Sequence, residues 1–358
     1  MPDVVEQTTE AGPRGTMRVA VYHSNADVRV EQRPIPAIGP GESLVRIRAS
    51  GICGSDVMEW YRVPKAPIVL GHEVAGDIVA IGAGVTDVAV GQRVVVSHHV
   101  PCNVCRYCLA GDHTACHTLH TTNYDPGGFS EYVRVPALQT DRGLLALPDS
   151  VTYDQGSFVE PLACVVRAQL RAGVRPGGTV LVMGSGISGL LHIRLALALG
   201  AGRVFATDVN EYRLDWARRS GATEAFDAIA AGGDLPSRLR EANDGRLADL
   251  VILGTGAGSA IDQGLACLDN GATFVVFAVP APGRDHPMPL NELWRREVVV
   301  RTAYGAAPSD LSTALDLIAK GRVAVTDLIT HRLPIEDIQR GFALVADGSE
   351  SVKVLIEL

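Results

Sequence analysis

The chain has 358 residues, more than the roughly 250–300 at which a single hydrophobic core stops growing, so about two domains are expected. A net charge of -8 and a hydrophobic fraction of 47% exclude a disordered chain and a protein that coats nucleic acid, and indicate a soluble globular protein. Apolar runs stay shorter than about 18 residues and the N-terminus lacks a signal pattern, which predicts a cytoplasmic protein without a membrane partner.

The predicted elements change character along the chain. Residues 1–16 lack apolar periodicity and are predicted to form a disordered tail. Over residues 17–160, short β-branched runs such as SLVRIRAS and QRVVVS between Gly and Pro predict a compact all-β domain. Over residues 161–301, apolar runs such as TVLVMG and RVFATD alternate with helical stretches, which is typical of a parallel βαβ sheet. Residues 302–358 carry a helix and the strand SVKVLIEL, and are predicted to return to the first domain.

Two short segments of the first domain contain potential metal ligands. Cys53 lies in GICGSD, and His72 and Glu73 lie in VLGHEVAG, each after a glycine-rich bend at the edge of a predicted strand. A thiolate, an imidazole and a carboxylate suit Zn²⁺, and three protein ligands leave a position for water or substrate. A His-Glu pair is also common in hydrogen-bonded turns, so the spacing alone leaves both interpretations open.

Four of the seven cysteines follow the spacing C-x2-C-x2-C-x7-C, namely Cys102, Cys105, Cys108 and Cys116. Four thiolates close a tetrahedral shell, so this spacing predicts a structural zinc lobe over about residues 98–120. The alternatives are four reduced core cysteines and a zinc module that reads nucleic acid. The polar loop sequence disfavours burial, and Arg106 and Asp112 are the only formal charges from 102 to 116, which leaves no basic stripe for phosphates.

A glycine fingerprint follows the first predicted strand of the second domain. TVLVMGSGISGL reads as a strand, then Gly184-x-Gly186-x-x-Gly189, then a helix that Ile187 and Ser188 open. The first glycine makes the tight turn, the second lets the backbone approach a pyrophosphate, and the third allows close packing of helix on strand. The pattern predicts a dinucleotide site, with a glycine turn that binds no ligand as the alternative.

The next strand ends in an acidic residue, as dinucleotide sites require. Asp208 follows Gly189 by 19 residues and can accept the adenosine-ribose hydroxyls, whereas it would repel a 2′-phosphate. NAD is therefore favoured over NADP. Arg213 is a candidate to cover the adenine edge, with a solvated helix arginine as the alternative.

The segment GHEVAGDIVAIGAGV is similar to the zinc signature of the medium-chain alcohol and polyol dehydrogenases. The resemblance covers about residues 17–358 and includes GICGSD, the four-cysteine lobe, GGFSEYV, VEPLACV and the glycine fingerprint. Within this zinc-dependent family the chain looks closest to the sorbitol and cyclitol branch, including 2-deoxy-scyllo-inosamine dehydrogenases of aminoglycoside biosynthesis. The resemblance implies a GroES-like catalytic domain built from both chain ends, a Rossmann domain between them, and an active-site cleft at their junction.

The resemblance also implies roles for single residues. Cys53 and His72 match catalytic-zinc ligands, and Glu73 matches a ligand or a nearby carboxylate. Glu160 matches the residue that binds zinc or its water in polyol enzymes. Asp56 matches the carboxylate that orients the zinc-binding histidine. Two further cysteines, Cys164 and Cys267, are interpreted as core residues.

The same resemblance implies a route for the substrate proton. Zinc lowers the pKa of a substrate hydroxyl, hydride passes to NAD⁺, and Ser55 falls where the family places the hydroxyl that accepts the proton. Many relatives have a histidine three residues later, whereas this chain has Met58. Water or another group, with Glu59 as a candidate, must then receive the proton from the nicotinamide ribose. Met58 would instead pack under the nucleotide or the zinc loop.

From the cyclitol resemblance we predict oxidation of a ring secondary alcohol of a cyclitol, aminocyclitol or aminoglycoside sugar to a ketone. Linear polyols rank second and L-threonine third. His120 and Tyr304 are candidates for the cleft wall, with purely structural roles as the alternative. A non-catalytic NAD-binding regulatory protein and a zinc-free reductase are disfavoured by the retained metal ligands. The family also implies a homo-oligomer, dimer or tetramer, without nucleic acid as a partner.

Overall fold

The computed structural model describes residues 12–358. Most of the predicted tail, residues 1–11, lies outside the described residues, and the first strand begins at Thr16. None of the helices in the described part of the chain is long and apolar enough to cross a bilayer. The cytoplasmic location stays a prediction.

The first part of the chain is mainly β-structure, in agreement with its short β-branched runs. Its strands are β1 (Thr16–Ser24), β2 (Asp27–Pro34), β3 (Ser43–Gly51), β4 (Ile68–Val69), β5 (Glu73–Ile81), β6 (Arg93–Val96), β7 (Tyr132–Val135) and β8 (Leu144–Ala146). Its helices are α1 (Glu59–Arg62), α2 (Arg106–Leu109), α3 (His117–Thr121), α4 (Ala137–Arg142) and α5 (Tyr153–Ser157). A 14-residue helix, α6 (Val159–Ala172), leads out of this region.

The middle of the chain forms a six-stranded parallel sheet. Its strands are β9 (Thr179–Met183), β10 (Arg203–Asp208), β11 (Glu224–Asp227), β12 (Ala248–Leu253), β13 (Leu268–Val276) and β14 (Val299–Thr302). Its helices are α7 (Ile187–Ala198), α8 (Glu211–Arg219), α9 (Ala228–Ala231), α10 (Leu235–Ala242), α11 (Gly258–Ala266) and α12 (Leu290–Arg295). The order β11-β10-β9-β12-β13-β14 is that of a Rossmann fold, and β9 is buried at every residue.

The last part of the chain returns to the first sheet. Its elements are α13 (Pro308–Ala319), β15 (Ile329–Pro334), α14 (Ile338–Asp347) and β16 (Lys353–Glu357). Strand β16 pairs antiparallel with β3 and parallel with β15, which completes a sheet of order β15-β16-β3-β5-β6-β8 with β7 on β3. The predicted combination of a GroES-like β-domain and a Rossmann domain is confirmed. The residue limits of the domains stay a prediction, and α6 runs across the limit at residue 160.

One apolar core joins the two regions. It runs from Ala75 and Val95 of the first sheet, through Leu162 and Val166 of α6, to Val182 of the parallel sheet. Helix α6 therefore lies at the junction of the two regions, and its first turn carries Glu160.

Candidate active site

Cys53 is held at the end of β3 by a short 3-10 helix, Gly54–Val57, of which it is the N-cap. Its Sγ accepts a hydrogen bond from the Ser55 backbone N–H at 3.4 Å. Its own backbone N–H donates to Asp56 Oδ2 at 3.1 Å. Cys53 and Asp56, the N-cap and the third residue of the helix, thus form a capping box in which each side chain accepts from the backbone N–H of the other. The residues that follow Cys53, Gly54–Asp56, thus fix the position of its thiol through local hydrogen bonds.

His72 and Glu73 reach the same place from the start of β5. Gly71 has φ +92°, a conformation that favours glycine, and turns the chain immediately before His72. Ligand atoms of Cys53, His72 and Glu73 all lie within 4.8 Å of one another. The His-Glu pair is therefore part of a three-ligand cluster rather than an isolated turn.

Asp56 is fully buried behind this cluster. Its Oδ1 lies 3.5 Å from His72 Nδ1 and 3.2 Å from Arg62 Nη2. Burial alone raises the pKa of Asp56, but the neighbouring His72 and Arg62 outweigh it and hold that pKa below its usual value. Because this ionised carboxylate lies beside Nδ1 of His72, Nε2 is the ring nitrogen that remains to bind a metal.

The two carboxylate oxygens of Glu73 lie in different surroundings. Its Oε2 forms an ion pair with Lys353 of β16, and both side chains are buried. Its Oε1 is buried and has no hydrogen-bond partner in the described structure. Gly51 of β3 makes room for this pair, because a Cβ there would overlap Glu73 Oε2 and Lys353. The orphaned oxygen, the thiol and the imidazole fit a zinc ion, the ligand set expected for that metal.

Glu160 lies beside the three-ligand cluster but is not part of it. Its Oε1 accepts a hydrogen bond from Cys164 Sγ at 3.4 Å, one helical turn later. Burial raises the pKa of Glu160 to about 7, and the charges of His72 and Glu73 also act on it. Contact of Glu160 with zinc or its water stays a prediction. Cys164 packs against the core and also contacts this carboxyl, whereas Cys267 is a fully buried core residue.

Ser55 has a neighbour that the sequence did not indicate. Arg62 of α1 donates from Nη2 to Ser55 Oγ at 3.0 Å and from Nε to the Ser55 carbonyl at 2.9 Å. Glu59, the candidate for the proton exit, instead accepts from the Asn25 backbone N–H at 3.1 Å. The group beside the serine hydroxyl is therefore a guanidinium.

Two further histidines pack beside His72. The ring of His98 lies 5.0 Å from that of His72, and the ring of His99 lies 3.9 Å from that of His98. Burial lowers the pKa of His99 to about 4, so this imidazole is neutral at pH 7. The rings of His120 and Tyr304 stack on each other at 5.1 Å.

The four predicted lobe cysteines lie together, apart from the three-ligand cluster. Their Sγ atoms are 3.5 Å apart for Cys105 and Cys108, 3.6 Å for Cys102 and Cys116, and 3.9 Å for Cys102 and Cys108. Zn–S bonds of about 2.3 Å in a tetrahedron require S···S distances of about 3.8 Å. Burial opposes ionisation of Cys116, but backbone N–H donors lower its pKa to about 5. The lobe fits a structural zinc ion.

The glycine fingerprint adopts the geometry of a dinucleotide loop. Gly184 has φ +96°, and Gly186 is the N-cap of α7, which begins at Ile187 and continues through Ser188. A Cβ on Gly189 would overlap the Gly184 carbonyl oxygen, whereas a Cβ on Gly186 would meet no atom within 4 Å. The third glycine therefore serves packing, and the second leaves open space in front of a helix N-terminus, where phosphate binds favourably.

This difference predicts different outcomes for two alanine substitutions. We expect Gly186→Ala to weaken NAD⁺ binding at least about tenfold while costing no more than about 1 kcal/mol of stability, since only a helix cap changes. Gly189→Ala should lower the unfolding temperature because backbone must move. Fluorescence titration with NADH and thermal unfolding check both. Equal NADH affinity of Gly186→Ala and the parent would contradict a dinucleotide at this loop.

Asp208 and Arg213 are engaged in contacts within the chain. Asp208 Oδ2 accepts from the Ser185 N–H at 2.7 Å, and Oδ1 accepts from the N–H groups of Val209 and Asn210 at 2.8 and 3.0 Å. A carboxylate has about four acceptor sites, so little capacity remains for ribose, although its charge remains. Arg213 donates from Nε to the Gly348 carbonyl at 2.9 Å, which ties α8 to the end of α14. Its adenine contact stays a prediction.

Comparison with known proteins agrees with this geometry. Residues 39–149 match the alcohol dehydrogenase GroES-like domain, and residues 188–320 match the zinc-binding dehydrogenase family. D-xylulose reductase A of Aspergillus niger is 35% identical over 92% of this chain and 93% of its own length. Galactitol-1-phosphate dehydrogenase of Escherichia coli is 28% identical, with a TM-score of 0.82 over 96% of this chain and 100% of that one.

A candidate zinc-binding dehydrogenase from Sinorhizobium meliloti 1021, solved with NADP bound, is 27% identical with a TM-score of 0.85. It covers 96% of this chain and 100% of its own. Two matched domains, a zinc-type ligand set and a Rossmann fold occur in one chain. The chain therefore belongs to the zinc-binding alcohol and polyol dehydrogenases of the medium-chain family, enzymes that act on CH–OH groups with zinc and a nicotinamide cofactor.

Proposed function

We propose that this protein oxidises a secondary alcohol of a polyhydroxylated small molecule to a ketone and transfers the hydride to NAD⁺. The observation that carries the proposal is the convergence of Cys53, His72 and Glu73 beside Ser55, at the junction with a dinucleotide-binding sheet. Bound zinc supplies a Lewis acid that lowers the pKa of a hydroxyl, and bound NAD⁺ supplies the hydride acceptor.

Side chains of this protein bind the metal and orient its ligands. Cys53, His72 and Glu73 hold the metal, and Asp56 keeps the histidine in the correct orientation. Lys353 holds Glu73 by one oxygen, which leaves the other, unpaired in the described structure, available to the metal. Glu160 binds the metal or its water from α6.

Ser55 accepts the substrate proton in this proposal. A hydroxyl has two acceptor lone pairs and one O–H donor, and Arg62 uses one lone pair at 3.0 Å. The second lone pair accepts from no other donor in the described part of the chain and is available to the substrate. Arg62 stays protonated and cannot take the proton, so Ser55 would pass the proton on through its own O–H. Arg62 thus positions the serine, and Met58 has no part in proton transfer.

Substitutions at these neighbouring positions separate the two roles. Because a positioned proton acceptor contributes about 10²–10⁴ in rate, Ser55→Ala should lower kcat at least about 100-fold. Met58→Ala should stay close to the parent. Steady-state kinetics on preparations of equal zinc content measure both. A kcat for Ser55→Ala equal to that of the parent would remove Ser55 from the mechanism.

The ring substrate predicted from the cyclitol resemblance remains our first choice, restricted to neutral cyclitols. Two carboxylates of the cleft already have cationic partners, Asp56 with Arg62 and Glu73 with Lys353. The third carboxyl, Glu160, binds the metal or its water in this proposal, so an ammonium group of an aminocyclitol or aminosugar would lack a free counterion there. The neighbouring imidazoles of His98 and His99 suit hydrogen bonds to hydroxyl groups. A linear polyol is the second candidate, favoured by the similarity to D-xylulose reductase A.

A substrate panel tests the proposal. Zinc-quantified protein is mixed with NAD⁺ or NADP⁺ and with inositols, aminocyclitols, xylitol, sorbitol or L-threonine, and NADH or NADPH absorbance is followed. The proposal expects turnover with a neutral cyclitol and a preference for NAD⁺, because Asp208 repels a 2′-phosphate. Turnover confined to linear polyols would replace the ring substrate by the second candidate. Absence of turnover at two zinc ions per chain would contradict both.

A further inference from the structure

A cationic cavity lies beyond the active site, between the cysteine lobe and the edge strand β14. Its volume is about 370 Å³. Its wall includes Arg167 and Arg171 of α6, Arg301 of β14, Asp112 of the lobe and Tyr304. Three guanidinium groups face one carboxylate, so the lining carries net positive charge.

The three arginines differ in how well they are paired. Arg171 is neutralised by Asp112, so this pair adds no charge. Arg167 is only 7% exposed, and its one ion pair among residues 12–358 joins Nη1 to Asp310 Oδ2 at 3.3 Å. That is longer than the 2.7–2.9 Å of a strong charge-assisted bond, and the same oxygen also accepts from the Ala307 N–H at 2.9 Å. Arg167 is therefore incompletely compensated.

Arg301 has no hydrogen-bonding partner for its Nε, although that atom is buried within the described structure. The side chain extends from β14, where the residue pairs with Val275 of β13. Buried donors are nearly always satisfied, so Arg301 is a second guanidinium without a full set of acceptors. The buried Nε itself does not open into the cavity, which the rest of the side chain lines.

One face of α6 carries residues of both the active site and the cavity. Glu160, Cys164, Arg167 and Arg171 are spaced i, i+4, i+7 and i+11, which places them on a single stripe. At 1.5 Å rise per residue, Arg167 lies about 10 Å along the helix axis from Glu160. Tyr304 lines the cavity and stacks on His120, so the cavity lies next to the candidate cleft wall.

We propose that this cavity binds an oxyanion, a phosphate or carboxylate group, between Arg167 and Arg301. The planar fork of a guanidinium matches the oxygens of both groups, and two incompletely paired guanidiniums offer the charge that an anion needs. The anion is either a separate small molecule or a group carried by the substrate. The binding site itself does not depend on the proposed dehydrogenase activity.

Inorganic phosphate is the probe. The zinc-loaded full chain is titrated with phosphate in chloride buffer of constant ionic strength, by calorimetry, with saturating NAD⁺ present to occupy the glycine loop. We expect one saturable site whose Kd rises at least tenfold in Arg301→Met and in Arg167→Met. Arg238→Met, which removes an exposed arginine from α10, is the matched control and should leave the Kd unchanged. Thermal unfolding verifies that each variant is folded. If the buried Arg167→Met variant does not fold, the phosphate affinity of Arg301→Met alone decides whether the anion site exists.

Kinetics with Arg301→Met distinguish the two sources of the anion. A KM that rises at least tenfold for a polyol phosphate or sugar acid, but not for a neutral polyol, supports an anion carried by the substrate. Unchanged KM values together with weakened phosphate binding support a separate anion. Absence of saturable phosphate binding by an active dehydrogenase overturns the anion site alone. Phosphate binding that persists unaltered in Arg301→Met overturns it as well.

Discussion

Replacing Cys53 by alanine is expected to abolish turnover and to reduce the zinc content from two ions per chain to one. The thiolate is one of three ligand atoms within 4.8 Å of one another, and two remaining ligands hold zinc poorly. A metal Lewis acid lowers the activation barrier by several kcal/mol, so kcat/KM should fall at least about 10³-fold when the metal is lost. Metal analysis by mass spectrometry and NADH formation measure both quantities on the same sample.

Two cysteine variants serve as controls for this experiment. Cys267→Ala removes a buried thiol from a core that contains none of the proposed metal ligands, and it should retain both zinc ions and activity. Cys105→Ala should lose the other zinc ion, because it removes a ligand of the lobe. Retention of two zinc ions and full activity by Cys53→Ala would show that the catalytic metal lies elsewhere.

Replacing Lys353 by methionine is expected to destabilise the protein strongly. Lys353 and Glu73 are both buried, and the lysine also donates to the Ile52 carbonyl at 3.2 Å. Removing one partner of a buried ion pair leaves the other charge uncompensated and costs about 3–5 kcal/mol. Denaturant unfolding of the zinc-depleted protein measures this loss, because bound zinc would itself stabilise Glu73.

The double variant Glu73→Gln with Lys353→Met provides the matched comparison. It removes both charges, so its stability should recover most of the loss, whereas its activity should not recover because a metal ligand is missing. The two singles and the double form a double-mutant cycle. A stability loss below about 1 kcal/mol in Lys353→Met would mean that the pair is solvated, as surface pairs are.

The features that the sequence could predict rest on short sequence spans. Cysteine spacing within one loop determines which thiols can share a metal, and the four cysteines are together in the structure. The glycine fingerprint specifies a strand, a tight turn and a helix within a dozen residues, and β9 and α7 follow it. The fold class also followed from the periods of apolar residues, which differ between half-buried strands and buried parallel ones.

The contacts that were missed join residues whose pairing leaves no local pattern. Arg62 reaches Ser55 from α1, which is a single turn of four residues and too short for periodicity. Glu73 and Lys353 are 280 residues apart. One signal was available in the second case, because a lysine inside the apolar strand SVKVLIEL requires a buried partner. The arginine cavity combines three separate segments, so no single stretch of sequence predicts it.

The ion pair of Glu73 also has a consequence for synthesis on the ribosome. Lys353 is made 280 residues after Glu73, which at about 5–20 residues per second is a delay of about 15–55 s. During that interval strand β3 lacks its neighbour β16, and the Glu73 carboxylate has no cation beside it. The Glu73–Lys353 ion pair of a nascent chain therefore cannot form until β16 has left the ribosome. Chains that terminate before that strand keep Glu73 without its counterion.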